Sequence, residues 1–403
     1  MSQRSAGTLT LPWSTSSPKA TKQVTFDHLL LIVTVTLALV GLVMVFSASA
    51  VVAGENKRFH DSWYFLKRQL AWLAFGLALL HVVSRIDYVW WKRLALPLLG
   101  LITVLLVLVL IPSVGVAVKG ARRWLHLGPI SIQPVEMVKL ITVIYLAAYL
   151  AKKEDRIQSF RDGLMPAVAV VGLLSGLVLL EPDLGTIVVI GLVTAGMLFL
   201  GGARMSHLFR LVPVALVAMA VLIWLSPYRW KRLLAFLDPE QDPTGSGFQI
   251  HQSLLAFGSG GLFGVGLGEG KQKLFFLPEA HTDFVLALMG EELGLVGTGI
   301  IILFFAVFAI RGFQIAARAQ MPFGRYLGMG ITLLIAVQAL INASVVTGLL
   351  PTKGLTLPFV SYGGSSLVMS LVGVGILLNI SRDRQAGQEE MRQRSGHGGV
   401  RRQ

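Results

Sequence analysis

The chain has 403 residues, 54% of them hydrophobic and only 14% charged. A soluble domain carries about 25% charged residues, so this composition, with a mean hydropathy of +0.70, is that of an integral membrane protein. There is no cysteine, which excludes disulfides, a thiolate nucleophile and thiolate-held metals. The net charge of +14 has no soluble basic cluster beside it, so it reads as a membrane-topology signal and not as a nucleic-acid interface.

Residues 1–26 are polar and rich in Ser and Thr, the composition of a disordered tail. Ten apolar runs of membrane-spanning length follow, near 28–49, 66–83, 94–112, 131–150, 164–180, 184–201, 206–225, 284–310, 327–348 and 360–380. The fold expected is an all-α polytopic bundle of about ten transmembrane helices over residues 27–381. Ser47-Ala-Ser-Ala50 resembles a signal-peptide cleavage site, but the apolar run before it is too long, so an uncleaved first span is expected. The second run is the weakest. Its Lys67 and Arg68 belong at an interfacial end, beside Trp63, Tyr64 and Trp72.

Orientation comes from Lys and Arg in the short loops. One side carries Arg4, Lys19, Lys22, Arg85, Lys92, Arg93, Lys152, Lys153, Arg156, Arg161, Arg204, Arg311, Arg318, Arg325 and the basic tail over 382–403. The other carries Lys57, Arg58, Lys67, Arg68, Lys119, Arg122, Arg123 and Lys353. The richer side is cytoplasmic, so both termini are expected inside and residues 226–282 form a large extracytoplasmic loop between the seventh and eighth helices. Within that loop, Trp230 to Leu237 mixes cations with large apolar residues and suits an interfacial helix. Phe248 to Phe257 has the pattern of a second short amphipathic helix. Gly258 to Lys271 is glycine-rich, but Gln272 follows where a phosphate loop needs Ser or Thr, so tight turns are the better reading.

Glu136 and Lys139 lie three apart in the fourth span and share a helix face. They are a neutralising pair or the wall of a polar cavity, with Lys139 facing an anionic substrate. Arg123, next to Trp124, has the fork geometry for a phosphate. Glu181-Pro-Asp-Leu-Gly-Thr186 joins spans five and six, where Asp183 is a helix cap or a functional acid. Glu291 and Glu292 sit two turns into span eight and need a partner or a wet cavity. Residues 351–366 form a second outer loop with one cation, Lys353, and several hydroxyls. No HExxH or other metal-ligand spacing appears.

The segment from Lys273 to Val285 closes the long loop and enters the eighth span. Glu279, His281 and Asp283 put three ionisable groups at the mouth of that span, where such groups are functional candidates. Asp283 also sits where a helix N-cap belongs, and both readings stand. With Arg123, Glu136, Lys139, Glu181, Asp183 and Lys353, it places the charged features on the outer side. An acid among cations fits a base acting beside a phosphate leaving group.

These residues resemble the SEDS family of peptidoglycan polymerases over nearly the whole chain after residue 27. The resemblance rests on Ser47-Ala-Ser-Ala50, Gly120 to Trp124, Gln133-Pro-x-Glu-x-x-Lys139, Glu181-Pro-Asp-Leu-Gly-Thr186, Gln252-Ser-Leu with Gly258-Ser-Gly-Gly261, Leu277-Pro-Glu-Ala-His-Thr-Asp-Phe284 and Ser361-Tyr-Gly-Gly-Ser365. Ala280 and the Pro351-to-Pro358 stretch look like the division branch of the family more than the elongation branch.

The resemblance implies a membrane-embedded glycosyltransferase that polymerises lipid II into β-1,4 glycan strands with inversion. Asp283 would be the general base and undecaprenyl pyrophosphate the leaving group. It marks Arg123, Glu136, Lys139, Glu181, Asp183, Gln252, His281, Lys353 and Ser361 as substrate contacts. A divalent cation, Mg or Mn, would assist the leaving group. The partners implied are a class B penicillin-binding protein, other division proteins and membrane lipid. Two other functions are open: a lipid II flippase, which needs the same polar cavity, and a non-enzymatic division scaffold, in which the intramembrane charges would be structural pairs.

Overall fold

A computed structural model of the protein describes residues 26–55, 60–118, 121–128, 130–238, 242 and 245–398, with backbone alone from 383 onward. The expected polar N-terminal tail, with Lys57, Arg58 and Lys119, lies outside the described residues. The helices are α1 (His28–Glu55), α2 (Tyr64–Val83), α3 (Val89–Leu110), α4 (Pro134–Lys153), α5 (Met165–Leu180), α6 (Leu184–Leu200), α7 (Met205–Trp224), α8 (Pro227–Leu237), α9 (Ser246–Gly260), α10 (Val285–Ala317), α11 (Pro322–Val346) and α12 (Gly364–Gly398). Among the described residues nine helices are long and apolar enough to cross a membrane, and α6 is a shorter apolar helix of 17 residues. These ten match the ten runs of the sequence. The interfacial segments of the long loop are helical too, as α8 and α9.

The helical body holds as expected, but the chain is not wholly α. Three strands form an antiparallel sheet, β1 (Gly115–Val118), β2 (Ala121–Leu127) and β3 (Ile130–Ile132), in the order β1-β2-β3. Val116 pairs with Trp124 and Leu125 with Ile132. This sheet takes the residues that hydropathy assigns to the start of the fourth span. That helix begins only at Pro134, whose missing N–H and fixed φ suit the first helical position. At the other end of the chain, the last helix starts at Gly364 and its backbone stays helical through the basic stretch to Gly398.

Lipid is as apolar as leucine, so close packing and internal polar contacts hold membrane helices together more than hydrophobic transfer does. The centre of the bundle is α4, α11 and the first half of α12, each mostly buried, while α3 and α5 bury a minority of their surface. Phe308 of α10 packs on Phe359 at 5.8 Å between ring centres, both fully buried. On the face read as cytoplasmic, Asp27 caps Leu30 at 3.0 Å and pairs with Arg311 at 3.0 Å, tying the start of α1 to α10. By contrast, α7 buries none of its residues.

Helix α10 is broken nine residues in. Gly294 leaves the helical conformation with φ 70° and ψ −169°, a region open only to glycine at low cost. The glycine-rich segment runs alongside the break. Val265 and Gly266 donate to the carbonyls of Glu291 and Glu292 at 3.0 and 3.1 Å. Leu295 and Val296 donate to Gly261 and Leu262 at 2.9 and 3.1 Å. A Cβ on Gly264, where φ is +82°, would meet the Glu292 carbonyl oxygen at 2.1 Å. Backbone groups freed by a broken membrane helix must be satisfied by protein, and here the loop satisfies them.

Candidate active site

Asp283 lies in a short turn region just before α10. The backbone N–H groups of Thr282 and Phe284 donate to the Glu279 carbonyl at 3.1 and 3.3 Å. The N-cap of α10 is Phe284 and makes no side-chain capping bond. Asp283 therefore stands one residue before the N-cap, and its carboxylate faces the second outer loop. A Cβ built on Gly354 would lie 3.1 Å from Asp283 Oδ2. From α11, Asn342 Nδ2 donates both to the Asp283 carbonyl at 2.9 Å and to the Leu355 carbonyl at 2.7 Å. One amide thus clips the two outer loops together beside the carboxylate.

On the other side of that loop stands the turn from Glu181 to Thr186. Asp183 is the true cap of its helix: Oδ1 accepts from the Thr186 N–H at 3.1 Å and Oδ2 from the Thr186 hydroxyl at 3.0 Å. Gly185 of the same turn approaches Leu355, whose Cγ would lie 3.1 Å from an added Cβ. Lys353 is half-buried between the two loops. Burial pushes its ammonium pKa below the usual lysine range, and the Asp183 carboxylate opposes that shift. The stretch Lys353-Gly354-Leu355 therefore passes between Asp283 and the Asp183 turn.

Arg123 on β2 braces this turn. Its Nε donates to the Glu181 carbonyl at 2.8 Å and its Nη2 to the Pro182 carbonyl at 2.6 Å, leaving its remaining N–H donors for an anion. Glu181 itself is fully buried, and neither carboxyl oxygen has a hydrogen-bond partner in the described structure. Burial, then the neighbouring Asp183, push its pKa to about 8, with Arg123 acting in the opposite direction. Near neutral pH it is a buried neutral acid, a donor as well as an acceptor.

Deeper in the bundle, Lys139 pairs with Glu136 at 2.8 Å, with side chains only 3% and 11% exposed. Lys139 also donates to Gln338 Oε1 at 2.9 Å. Gln338 Nε2 reaches the Thr356 carbonyl at 2.9 Å, and the Thr356 hydroxyl meets Ser366 at 2.9 Å. The network runs from the membrane interior to the loop that carries Lys353. Beside it is a cavity of about 20 Å³ lined by Glu136, Lys139, Gln338 and Ser370, room for about one water.

The structure thus gathers Asp283, Lys353, Asp183, Glu181 and Arg123 around one pair of loops and links Glu136 and Lys139 to them. Three other expected contacts make interactions of their own. Gln252 is half-buried on α9, next to Ser253, whose hydroxyl donates to the Val346 carbonyl at 2.6 Å. Ser361 is buried, and its hydroxyl accepts from the Leu357 N–H at 2.8 Å, holding a turn. The His281 ring packs at 4.7 Å from Phe65 and 5.7 Å from Tyr362. Asn342 and Gln338 were missed. They are amides four apart in an apolar span, a spacing that puts them on one face and could have marked them. As for a divalent cation, no group of three or more His, Asp or Glu converges to hold one among the described residues, and both Asp183 oxygens are engaged.

Comparison with known proteins gives one consistent picture. A family profile described as "Cell cycle protein", FtsW/RodA/SpoVE, matches residues 27–386. The chain is 52% identical over 356 residues to a probable peptidoglycan glycosyltransferase FtsW of Trichlorobacter lovleyi, covering 88% of this chain and 93% of that protein. It is 46% identical to the stage V sporulation protein E of Bacillus subtilis, covering 90% and 98%. Among solved structures it resembles a chain of a peptidoglycan synthase complex that coordinates polymerization and crosslinking, with a TM-score of 0.72 and 31% identity, covering 89% and 98%. It also resembles the rod shape determining protein RodA of Thermus thermophilus, with a TM-score of 0.63 and 28% identity, covering 90% and 98%.

Proposed function

The chain belongs to the FtsW/RodA/SpoVE family, and from that premise we propose how its residues carry out the chemistry. It is a multi-pass membrane peptidoglycan glycosyltransferase of the FtsW-like kind. Asp283 acts as general base and takes the proton from the 4-hydroxyl of the acceptor GlcNAc. That oxygen attacks the anomeric carbon of the donor MurNAc. The bond from that carbon to the diphosphate oxygen breaks, its electron pair leaves with undecaprenyl pyrophosphate, and the new β-1,4 linkage is inverted. Lys353 and Arg123 supply the cations for the charge that develops on the diphosphate, and Lys139 supports the loop from below through Gln338 and Thr356. A divalent cation bound with the substrate would supply Lewis-acid charge to the leaving diphosphate; no group of three or more His, Asp or Glu among the described residues would hold it on its own.

One observation carries the reading: the Asp283 carboxylate, one residue before the N-cap of α10, lies against Gly354, next to Lys353. The experiment is polymerisation of lipid II by the purified protein with a class B penicillin-binding protein, the partner suggested by the similarity to a chain of a synthase complex. Asp283→Asn keeps the size of the side chain but cannot act as the base. It should abolish glycan strands while the protein still folds and binds its partner. Near-normal strands from that variant would remove the base mechanism and leave flipping or scaffolding of lipid II. The Ala280 and Pro351-to-Pro358 signatures support septal synthesis. Depletion should give long undivided cells, with a fluorescent fusion gathered at midcell; rounded cells with a dispersed signal would assign the chain to side-wall growth.

A further inference from the structure

Two adjacent acids on the first segment of α10 are buried inside the bundle. Glu292 and Lys273 pair at 2.8 Å with side chains 0% and 7% exposed. Ser47 of α1 donates to both Glu292 oxygens at 2.7 and 2.8 Å, and Lys273 Nζ lies 3.0 Å from the same hydroxyl. Lys273 further donates to the Gly268 carbonyl, and the Gly268 N–H donates to Glu292 at 3.1 Å. Glu291 accepts from the N–H groups of Lys271 and Gln272 at 2.8 and 3.2 Å. These contacts answer the question the sequence left about the acids, and they dispose of a phosphate loop: the amides of Val265, Gly266, Gly268, Lys271 and Gln272 already face carbonyls and carboxylates of α10.

A buried ion pair contributes little net stability, because desolvation of both charges offsets their attraction; breaking it from one side is costly. Such a pair fixes a geometry more than it adds stability. What it fixes here is the start of the segment that ends at Asp283. Lys273 pins one end, and Asn342 pins the Asp283 carbonyl at the other. Between them, Phe275 and Glu279 hold φ of 67° and 59°, conformations that non-glycine residues keep only when their surroundings force them.

We propose that Ser47, Lys273, Glu291 and Glu292 are positioning residues for the glycosyl transfer: an anchor between α1, the break in α10 and the glycine-rich loop that holds the segment 274–283 strained and so sets where the Asp283 carboxylate stands. The kinetic half of this proposal rests on Asp283 acting as the base; the mechanical half does not.

The test uses the absence of cysteine from the chain. Ala280 is buried within the segment, so Ala280→Cys places a thiol that a membrane-impermeant maleimide reaches slowly while the anchor holds. Adding Lys273→Met or Glu292→Gln should raise the labelling rate about tenfold or more, and in the cysteine-free background should lower kcat for lipid II polymerisation by about a hundredfold, the scale of a misplaced reacting group, with KM little changed. Joining Lys273→Met to Glu292→Gln removes the unpaired charge and should restore thermal stability, but not kcat or slow labelling. Ser47→Ala, a milder change, should move labelling and kcat a few-fold in the same directions where either charge variant fails to fold. Unchanged labelling in the anchor variants, or a double variant that regains kcat with stability, would overturn the proposal. Near-normal polymerisation by Asp283→Asn would instead remove the chemical reading alone, since the labelling response does not depend on it.

Discussion

The Asp283 carboxylate lies so close to Gly354 that a Cβ there would sit 3.1 Å from its Oδ2. The glycine is exposed to solvent and its φ is not in the left-handed region. Its value to the site is therefore the space it leaves, not a turn that only glycine can make. Gly354→Ala should leave the thermal stability almost unchanged and lower kcat about tenfold or more by displacing the carboxylate. Lipid II polymerisation by the purified variant, with a melting curve alongside, measures both; full activity would show that the carboxylate works from another position.

Lys139 and Glu136 offer a charge-balance test. Lys139→Met leaves Glu136 buried without its cation, so both stability and activity should fall. Adding Glu136→Gln removes that charge and should recover stability. Activity should stay low, because Gln338 and through it Thr356 have lost the ammonium that holds them. Recovery of polymerisation with stability in the double variant would reduce the pair to a structural one.

Glu181 makes stability depend on pH in a defined direction. Its folded pKa, about 8, lies above the ordinary 4.5, so between those values the folded state holds a proton that the unfolded state has lost. Stability from this group is complete below about pH 4.5 and is lost progressively as pH rises through about 8. Glu181→Gln removes the titration, so its melting temperature should fall less than that of the parent between those limits. Equal slopes for the two proteins would show that Glu181 is ionised across the range.

The orientation is also open to direct measurement. Leu237, exposed on α8, is expected outside, and Asp155, after α4, inside, from the Lys and Arg count of the short loops. A cysteine in place of Leu237 should react with an impermeant reagent in intact cells, after permeabilisation of an outer membrane if there is one. A cysteine in place of Asp155 should react only after lysis. The reverse pattern would invert the topology.

The ten membrane helices could be read from the sequence because each is an apolar run longer than chance allows. The sheet over 115–132 could not. Its strands are three to seven residues long, and Ile130 to Ile132 merge with the apolar run that follows. The site was legible as a set of unusual charges, but their roles were not. Asp183 and Asp283 look alike in sequence, each an acid just before an apolar helix, and only the structure puts Asp183 at the N-cap of α6 and Phe284 at that of α10. Glu291 and Glu292 announced that they needed partners. Those partners lie up to 245 residues away in sequence, on α1 and in a glycine-rich stretch whose pattern suggests something else.

Helix α7 has no buried residue anywhere along its length, while α6 beside it keeps an inward face of Val189, Ile190, Val193 and Met197. For α6, each of those positions is a word that must be spelled correctly. For α7, what is asked of the sequence is a total: enough apolar surface to stay dissolved in hydrocarbon. Apart from Leu208 and Leu211, which pack on the core, and His207, whose ring meets Phe160, a reordered α7 of the same composition would satisfy that demand as well as the present one, so most of its letters record the solvent around the protein.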